Sequence, residues 1–512
     1  MVVVIRHRPA SCEKASSPDN DSHPLVQNPL TQRRAGVLLH PTSLPGDREH
    51  GDLGRNSRRF IDFLQSAGLS VWQMLPLGPT HTDGSPYQCL SVHAGNPALI
   101  SLHDLSDAGW LPAKIASHLP LHACLQQARS GFEKTASPAE KKAYAVFKTA
   151  QAVWLDDYAL YQAIRAAQDG QAWYHWPVAL RDRDPAALVD VGKVQAQAID
   201  QVCFEQYLFF SQWSVLRDYA HQRGVMLFGD IPIYVAHDSA DVWAHRELFT
   251  IDSAGELEVV AGVPPDYFSA TGQRWGNPLY HWNRMAEQGY SWWLERFTTQ
   301  FALFDIVRID HFRGFEKFWE IPAQAETAVD GRWVEGPGAA LFECLQQHFG
   351  GLPVVAEDLG IITPEVDALR LQFDFPGMKI LQFAFDGGEN NPYLPENHEA
   401  LSVVYTGTHD NDTTLGWYSS LDDAAREKVK AHMPEDSSEM PWALIRTALE
   451  STSVLAIIPM QDLLGLGNDA RMNMPGTAEG NWSWRFSWDM VSAGLARSML
   501  TQNQRAARIV GS

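Results

Sequence analysis

The sequence has few cysteines, and this scarcity argues against two classes of protein. Its 512 residues contain five cysteines, an odd number spread widely along the chain: Cys12, Cys89, Cys124, Cys203 and Cys344. Disulfide-stabilised secreted domains carry dense, even sets of cysteines, and structural zinc sites need closely spaced pairs. Neither pattern is present, so we expect reduced thiols, no bound metal and a cytoplasmic location.

Long apolar runs and an excess of positive charge are also missing. The opening Met-Val-Val-Val-Ile is interrupted at Arg6, and no apolar stretch of about 18 residues follows, so we expect neither a signal peptide nor a membrane span in this soluble chain. The net charge of −21 argues against nucleic acid and anionic membranes as partners. The net charge does not argue against a large neutral ligand.

Aromatic residues, in contrast, are plentiful. The chain contains 18 tryptophans and 14 tyrosines. The apolar face of a pyranose packs well on an indole ring, so this excess indicates either carbohydrate binding or a tryptophan-rich core. Composition alone does not separate the two.

Eight short apolar runs recur along the chain, and each ends in a polar or Gly/Pro-rich stretch. Such runs are typical of parallel strands buried on both faces. Helix-like segments lie between most of them, which predicts an α/β fold, a (β/α)8 TIM barrel. A doubly wound open sheet with extra domains is the alternative. The runs are residues 36–40, 71–77, 225–233, 306–310, 354–358, 379–385, 403–408 and 454–459.

The remaining sequence predicts a tail and two insertions around this barrel. Residues 1–34 are rich in Ser, Pro, Asn, Asp and Arg without periodicity, which predicts a disordered or loosely attached tail. Residues 35–512 would form the catalytic barrel. Two βα-loops, at about 80–223 and 236–300, are long enough to hold inserted, mainly helical subdomains.

Three carboxylates follow the carboxyl ends of three different runs: Asp310, Glu357 and Asp410. In a barrel these ends converge on one mouth, where a pair of carboxyl groups can cleave a glycosidic bond as nucleophile and general acid. Arg308 shares a strand face with Asp310 and would keep it ionised. We expect crowding by other acids to raise the pKa of Glu357, and Asp410 beside His409 to hold sugar hydroxyls. Binding of Mg²⁺ by the same trio is a rival interpretation.

Eight segments in order make the family resemblance specific. The chain resembles the 4-alpha-glucanotransferases, or amylomaltases, of glycoside hydrolase family 77, which are relatives of the α-amylases. The resemblance covers nearly the whole chain after the tail. The segments are HPTSLP (40–45), SPYQ (85–88), GDIPIY (229–234), AGVPPDYF (261–268), GQRWGNP (272–278), RIDH (308–311), AEDLG (356–360) and THDND (408–412).

The resemblance implies a role for each matching residue. Asp310 would be the nucleophile that forms a covalent glucosyl-enzyme, Glu357 the general acid/base and Asp410 the transition-state stabiliser. The implied substrate-binding residues are Tyr87, Asp230, Asp266, Tyr267, Phe268, Trp275, Arg308 and His409. Some members carry a tyrosine for a remote glucan segment where Thr82 stands here, so the resemblance does not predict that second site.

The resemblance also sets the expected reaction. A retaining intermediate is resolved by water or by a sugar hydroxyl, and aromatic walls around residues 262–278 would favour the sugar. We therefore expect transfer of α-1,4-glucan segments among maltooligosaccharides, glycogen or starch chains, without a cofactor. An α-amylase-like hydrolase and a non-catalytic glucan-binding module are the alternatives.

Overall fold

Twelve strands and seventeen α-helices lie within the described residues of the computed structural model, which are 29–46, 48–114, 119–265, 269–433, 439–477 and 479–510. The strands are β1 Arg34–Leu38, β2 Val71–Gln73, β3 Met226–Ile231, β4 Val259–Val263, β5 Gln273–Arg274, β6 Ile306–Ile309, β7 Lys317–Pro322, β8 Arg332–Glu335, β9 Val354–Ala356, β10 Gly377–Ile380, β11 Ser402–Tyr405 and β12 Leu455–Pro459. The helices are α1 Arg55–Ser66, α2 Leu102–Asp107, α3 Leu121–Thr135, α4 Pro138–Ala167, α5 Val178–Arg181, α6 Pro185–Val194, α7 Ala196–His221, α8 Ala240–Ala244, α9 Trp282–Glu287, α10 Ser291–Leu303, α11 Ala339–Phe349, α12 Pro364–Gln372, α13 Thr414–Ser420, α14 Asp423–Ala431, α15 Trp442–Glu450, α16 Met460–Leu463 and α17 Leu495–Arg505.

Eight strands form a parallel sheet in the order β10-β11-β12-β1-β2-β3-β6-β9. This order follows the chain around a circle, as a barrel requires, and the two end strands approach each other where the Ala356 N–H donates to the Pro376 carbonyl at 2.9 Å. The (β/α)8 barrel predicted from the sequence is confirmed. Each of its strands overlaps one of the eight apolar runs, although β10 ends at Ile380 and Leu381–Phe383 in the predicted run 379–385 form a 3₁₀ turn instead.

Alternation along the strands separates two packed layers. On β6, Val307 and Ile309 join the large core between the strands and the outer elements, whereas Ile306 belongs to the cluster inside the barrel. Arg308 and Asp310 follow Ile306 by two and four residues, so their side chains point to the same face of the strand. They therefore face the interior at the barrel mouth.

The last residues of the predicted tail are docked on the barrel. Strand β1 begins at Arg34, and the Arg33 guanidinium donates to the carbonyls of Ala506 at 2.8 Å and Ser451 at 2.6 Å. Leu30 is buried at 8% exposure. Residues 29–34 of the predicted tail therefore belong to the fold, because Arg33 joins the N-terminal strand to the C-terminal part of the molecule. The predicted tail over residues 1–28 lies outside the described residues.

A four-stranded antiparallel sheet in the order β5-β4-β7-β8 was not foreseen from the sequence. Its strands come from the chain segments after β3 and after β6, so it stands beside the barrel mouth. The segment between β2 and β3 is helical and contains α2 to α7. Across the described ranges, no helix is both long and apolar enough to cross a bilayer.

Candidate active site

Four barrel strands carry the polar side chains that the sequence singled out. Asp230 lies on β3, Arg308 on β6 with Asp310 directly after it, Glu357 directly after β9, and Asp410 five residues after β11. Strands β3, β6 and β9 are neighbours in the sheet. Because parallel strands all end at the same rim, these groups share the barrel mouth.

Arg308 joins two of the carboxylates. Its Nη1 lies 2.7 Å from Asp230 Oδ2, and its Nη2 lies 2.8 Å from Asp310 Oδ1. The side chains of Arg308 and Asp230 are 6% and 1% exposed, while that of Asp310 is 30% exposed. The buried pair thus anchors the guanidinium, and the guanidinium orients Asp310 while leaving part of that carboxylate open to the mouth.

Glu357 is held by backbone donors. Its Oε2 accepts from the His311 N–H at 2.6 Å, and its Oε1 accepts from the Leu359 N–H at 2.9 Å. Burial raises the pKa of Glu357 to about 7; Arg308 opposes this shift and the charge of Asp310 adds to it. The predicted direction is confirmed. The main cause is loss of solvation rather than the crowding by acids that the sequence suggested.

Asp410 is fixed by three groups on two segments. His409 Nε2 lies 3.3 Å from its Oδ2, Asn473 Nδ2 donates to its Oδ1 at 2.7 Å, and Arg471 donates to its main-chain carbonyl at 2.6 Å. Burial would raise the pKa of Asp410, but the charge of His409 and hydrogen bonds from His409 and Asn473 outweigh it and lower the pKa. Asp410 is therefore an ionised acceptor.

Tyr87 connects the two halves of the mouth. Its hydroxyl donates to Asp230 Oδ2 at 2.8 Å, and its ring stacks on His409 with centroids 5.3 Å apart and planes inclined by 17°. Trp482 lies beside both rings, at 6.1 Å from Tyr87 and 6.0 Å from His409. The result is an aromatic wall next to Asp410.

Trp275 forms part of another wall. It directly follows β5, and its ring meets His311 edge-on at 4.9 Å and lies 6.2 Å from Tyr234. The neighbouring predicted residues Asp266, Tyr267 and Phe268 lie outside the described residues. Of the eleven predicted site residues, the other eight are brought to the mouth.

Three further residues at the site were not predicted from the sequence. His311 lay within a quoted motif but received no role; its main chain binds Glu357, its ring abuts Trp275, and burial lowers its pKa to about 4, so the imidazole is neutral. Asn473 and Trp482 lie in irregular chain after β12, where no periodicity marks them. Only the tertiary structure brings them to Asp410 and Tyr87.

The arrangement provides two carboxyl groups with different properties on adjacent strands. Asp310 is paired with a guanidinium, and Glu357 has a pKa near neutrality, which suits a nucleophile and a proton donor respectively. Among the described residues, no cluster of three or more His, Cys, Asp or Glu side chains is arranged to hold a metal ion.

Comparisons with known proteins agree with this chemistry. A family model described as glycoside hydrolase family 77, 4-alpha-glucanotransferase, matches residues 39–491. The chain is 50% identical over 472 residues to the 4-alpha-glucanotransferase of Thermus thermophilus, covering 88% of this chain and 94% of the relative. It is 48% identical over 486 residues to that of Synechocystis, covering 91% and 96%. Its fold matches the amylomaltase from Streptococcus agalactiae in complex with acarbose with a TM-score of 0.89 at 34% identity, covering 93% of this chain and all of that one.

Proposed function

The chain belongs to the 4-alpha-glucanotransferases of glycoside hydrolase family 77 and is an enzyme acting on α-glucans, and from this premise we propose that Asp310, Glu357 and Asp410 carry out the transfer. The observation that carries the proposal is the Arg308 guanidinium, which contacts Asp310 at 2.8 Å beside a Glu357 whose pKa burial raises to about 7. This pairing supplies a nucleophile oriented by a guanidinium and, beside it, a proton donor at neutral pH.

In the first step, an Asp310 oxygen attacks the anomeric carbon of the donor glucan. The bond from that carbon to the glycosidic oxygen breaks, and Glu357 gives its proton to the leaving oxygen. The product is a covalent glucosyl-enzyme and a shortened glucan with a free 4-hydroxyl. Arg308 orients the attacking carboxylate, since Asp230 holds its other nitrogen at 2.7 Å.

In the second step, Glu357 acts as a base. It takes the proton of the acceptor 4-hydroxyl, whose oxygen attacks the anomeric carbon and releases Asp310. Two displacements at one carbon retain its configuration. The His311 and Leu359 N–H groups, at 2.6 and 2.9 Å, stabilise the carboxylate that Glu357 becomes between the two steps.

The remaining polar and aromatic residues bind the sugar at the point of cleavage. Asp410, an ionised acceptor fixed by Asn473, would take hydrogen bonds from ring hydroxyls and strengthen them as positive charge develops on the ring. Tyr87, with its ring stacked on His409, would pack against the same glucose, and Asp230 would hold both Tyr87 and Arg308 in place.

Transfer prevails over hydrolysis when the acceptor site excludes water. Trp275 would supply one aromatic wall of that site. The relatives from Thermus thermophilus and Synechocystis are both 4-alpha-glucanotransferases, which favours a transferase over the α-amylase-like alternative.

The substrates proposed are α-1,4-glucans: maltooligosaccharides and chains of glycogen or starch. The amylomaltase from Streptococcus agalactiae binds acarbose, which mimics an oligosaccharide. That complex supports the proposal that the substrate of this chain is an oligosaccharide. A reducing compartment such as the cytoplasm is proposed for the protein, because Cys89, Cys124, Cys203 and Cys344 are all free thiols.

Incubation with maltotriose followed by product sizing tests the reaction. We expect glucose together with a ladder of longer maltooligosaccharides and no matching rise in reducing ends. Asp310→Asn keeps the shape of the site and should lower the rate by about three or more powers of ten. A near-normal rate in that variant would remove Asp310 from the proposed role, and net release of reducing ends by the unmodified protein would indicate a hydrolase.

A further inference from the structure

The outward face of the small sheet exposes a tryptophan away from the catalytic cleft. In the β7–β8 pair, Trp333 is opposite Trp319, while Phe318 is opposite Val334 on the other face. Phe318 is 4% exposed and packs in the main core, whereas Trp333 is 37% exposed. A ring of this size is normally buried or binds something.

Trp333 is held rigidly from beneath. The Arg313 guanidinium lies 4.1 Å from the centre of its ring, and Trp319 meets it edge-on at 5.1 Å with planes inclined by 68°. Trp319 is itself fixed, because its Nε1 donates to the Ala328 carbonyl at 2.8 Å. We call Trp333, Trp319 and Arg313 the Trp333 platform. A ring that is already immobilised loses little entropy when a ligand stacks on it.

The platform is joined to the loops that carry the catalytic carboxyl groups. Arg313 belongs to the short helical turn Phe312–Phe315, which begins two residues after Asp310, and its Nη1 donates to the carbonyl of Ile361, four residues after Glu357. Ile361 is 57% exposed. A chain bound at the platform would therefore lie near the rim of the active site without entering it.

The platform is separate from the wall formed by Trp275. Arg274, Gly262, Trp319 and Trp333 share one row of the small sheet, and Trp275 is the next residue after Arg274. Consecutive residues point to opposite faces, so Trp275 faces His311 and the cleft while Trp333 faces outward. Two different sides of one sheet thus present aromatic rings.

A pair of oppositely charged residues shares the sheet face of the exposed ring. Lys317 pairs with Glu335 across the strands on the same face as Trp333, and its Nζ lies 3.1 Å from Glu316 Oε1. An apolar ring beside hydrogen-bonding side chains of both signs matches a neutral polyhydroxylated ligand better than a charged one.

We propose that the Trp333 platform is a second α-glucan site, where a pyranose ring of a long chain stacks on Trp333 outside the catalytic cleft. The inference rests on the family's activity on glucans and does not depend on the roles of the carboxylates. Holding a polymer at the platform raises the effective concentration of its other segments at the cleft. The benefit exists only for chains long enough to reach both places.

The test compares long and short substrates in the full-length enzyme. Trp333→Ala should raise KM for glycogen as donor by on the order of fivefold, leave kcat little changed, and leave both constants for maltotriose unchanged. Trp333→Phe, which keeps a stacking ring, should recover part of the difference. Leu371→Ala is a matched control, since Leu371 is an apolar residue 48% exposed on helix α12 and is not part of the platform.

Direct binding is measured by retardation in native gels that contain glycogen, in an Asp310→Asn background so that no substrate is consumed. We expect Trp333→Ala to reduce retardation relative to the Leu371→Ala control. Equal retardation of Trp333→Ala and Leu371→Ala would overturn the proposal. A parallel loss of activity on maltotriose and glycogen in Trp333→Ala would also overturn it, because Trp333 would then only support Arg313. If Asp310→Asn itself stayed active, the proposed roles of the carboxylates would be wrong. The difference in retardation between Trp333→Ala and Leu371→Ala would still test the platform.

Discussion

At the scale of single residues, the site depends on two carboxyl groups in different surroundings. The sequence predicted both carboxyl groups, because Asp310 and Glu357 follow apolar runs. It also predicted Arg308, which is two residues before Asp310 and so lies on the same strand face. It gave the wrong main cause for the pKa of Glu357. Burial depends on the packing of the whole mouth around the carboxyl group, which a local pattern does not contain.

The pKa of Glu357 predicts how the rate depends on pH. Burial raises this pKa to about 7, and the first step needs the protonated form, so kcat/KM should fall as pH rises through about 7. The measurement is the pH profile of maltotriose disproportionation at low substrate concentration. A glucosyl fluoride donor serves as the control, because fluoride leaves without a proton. With this donor, the rate at which Glu357→Gln forms the glucosyl-enzyme should not fall as the pH rises through about 7. A rate that stays level to pH 9 in the unmodified enzyme would contradict the assignment.

Trp275 tests why the acceptor is a sugar. Its ring contacts His311 at 4.9 Å and lies at the mouth, so Trp275→Ala should remove stacking area and admit water. Acceptor binding should weaken roughly tenfold, and the ratio of hydrolysis to transfer should rise. Glucose release and oligosaccharide formation are measured in one assay. If both reactions fall together at a fixed ratio, Trp275 only supports its loop.

At the scale of elements, the irregular segment after β12 completes the site. Arg471 donates to the Asp410 carbonyl at 2.6 Å, the Asn473 N–H donates to the His409 carbonyl at 3.1 Å, and the Asn473 side chain donates to Asp410 Oδ1 at 2.7 Å. No local pattern in the sequence marks this segment, because hydrogen bonds between two loops require no periodicity.

Asn473→Ala should therefore impair catalysis without unfolding the protein. Loss of one hydrogen bond to a charged carboxylate should lower kcat by about tenfold, because Asp410 is then free to turn away from the sugar. Asn468→Ala is the matched control, since Asn468 donates to Asp412 Oδ2 at 2.7 Å in the same region. Equal activity of the two variants would show that Asp410 does not need this support.

The four-stranded sheet was not predicted from the sequence either, for a different reason. Strand β5 contains two residues and β8 four, and partners such as β4 and β7 are separated by more than fifty residues. Antiparallel pairing at that distance depends on tertiary contacts that short runs do not specify. The eight barrel strands were predictable because each overlaps a short, mainly apolar run that is largely buried.

At the scale of the whole molecule, the tryptophans divide between the core and the barrel mouth. Trp72, Trp173, Trp213, Trp243 and Trp293 are almost fully buried and serve the core. Trp275 and Trp482 lie at the mouth instead. Composition could not divide the tryptophans between these uses, because burial is a property of the fold.

The junction of the two chain ends predicts where truncation becomes costly. Arg33 donates to Ala506, Leu449 and Ser451 at 2.8, 3.2 and 2.6 Å, so Arg33→Ala should lower the free energy of unfolding by about 1–3 kcal/mol. Removal of residues 1–28, whose composition lacks an apolar pattern, should leave the melting temperature nearly unchanged. Exposed Gln32 provides the control variant Gln32→Ala. A large loss on removing residues 1–28 would show that the predicted tail contributes to the fold.

The most direct test is to locate the covalent intermediate. In Glu357→Gln, a maltotriosyl fluoride donor still forms the glycosyl-enzyme because fluoride leaves without a proton, but the acceptor hydroxyl has no base to activate it, so the intermediate accumulates. Mass spectrometry of the quenched and digested protein should find one maltotriosyl group, attached to the peptide that contains Asp310. The absence of an adduct, or its attachment to another carboxylate, would contradict the account.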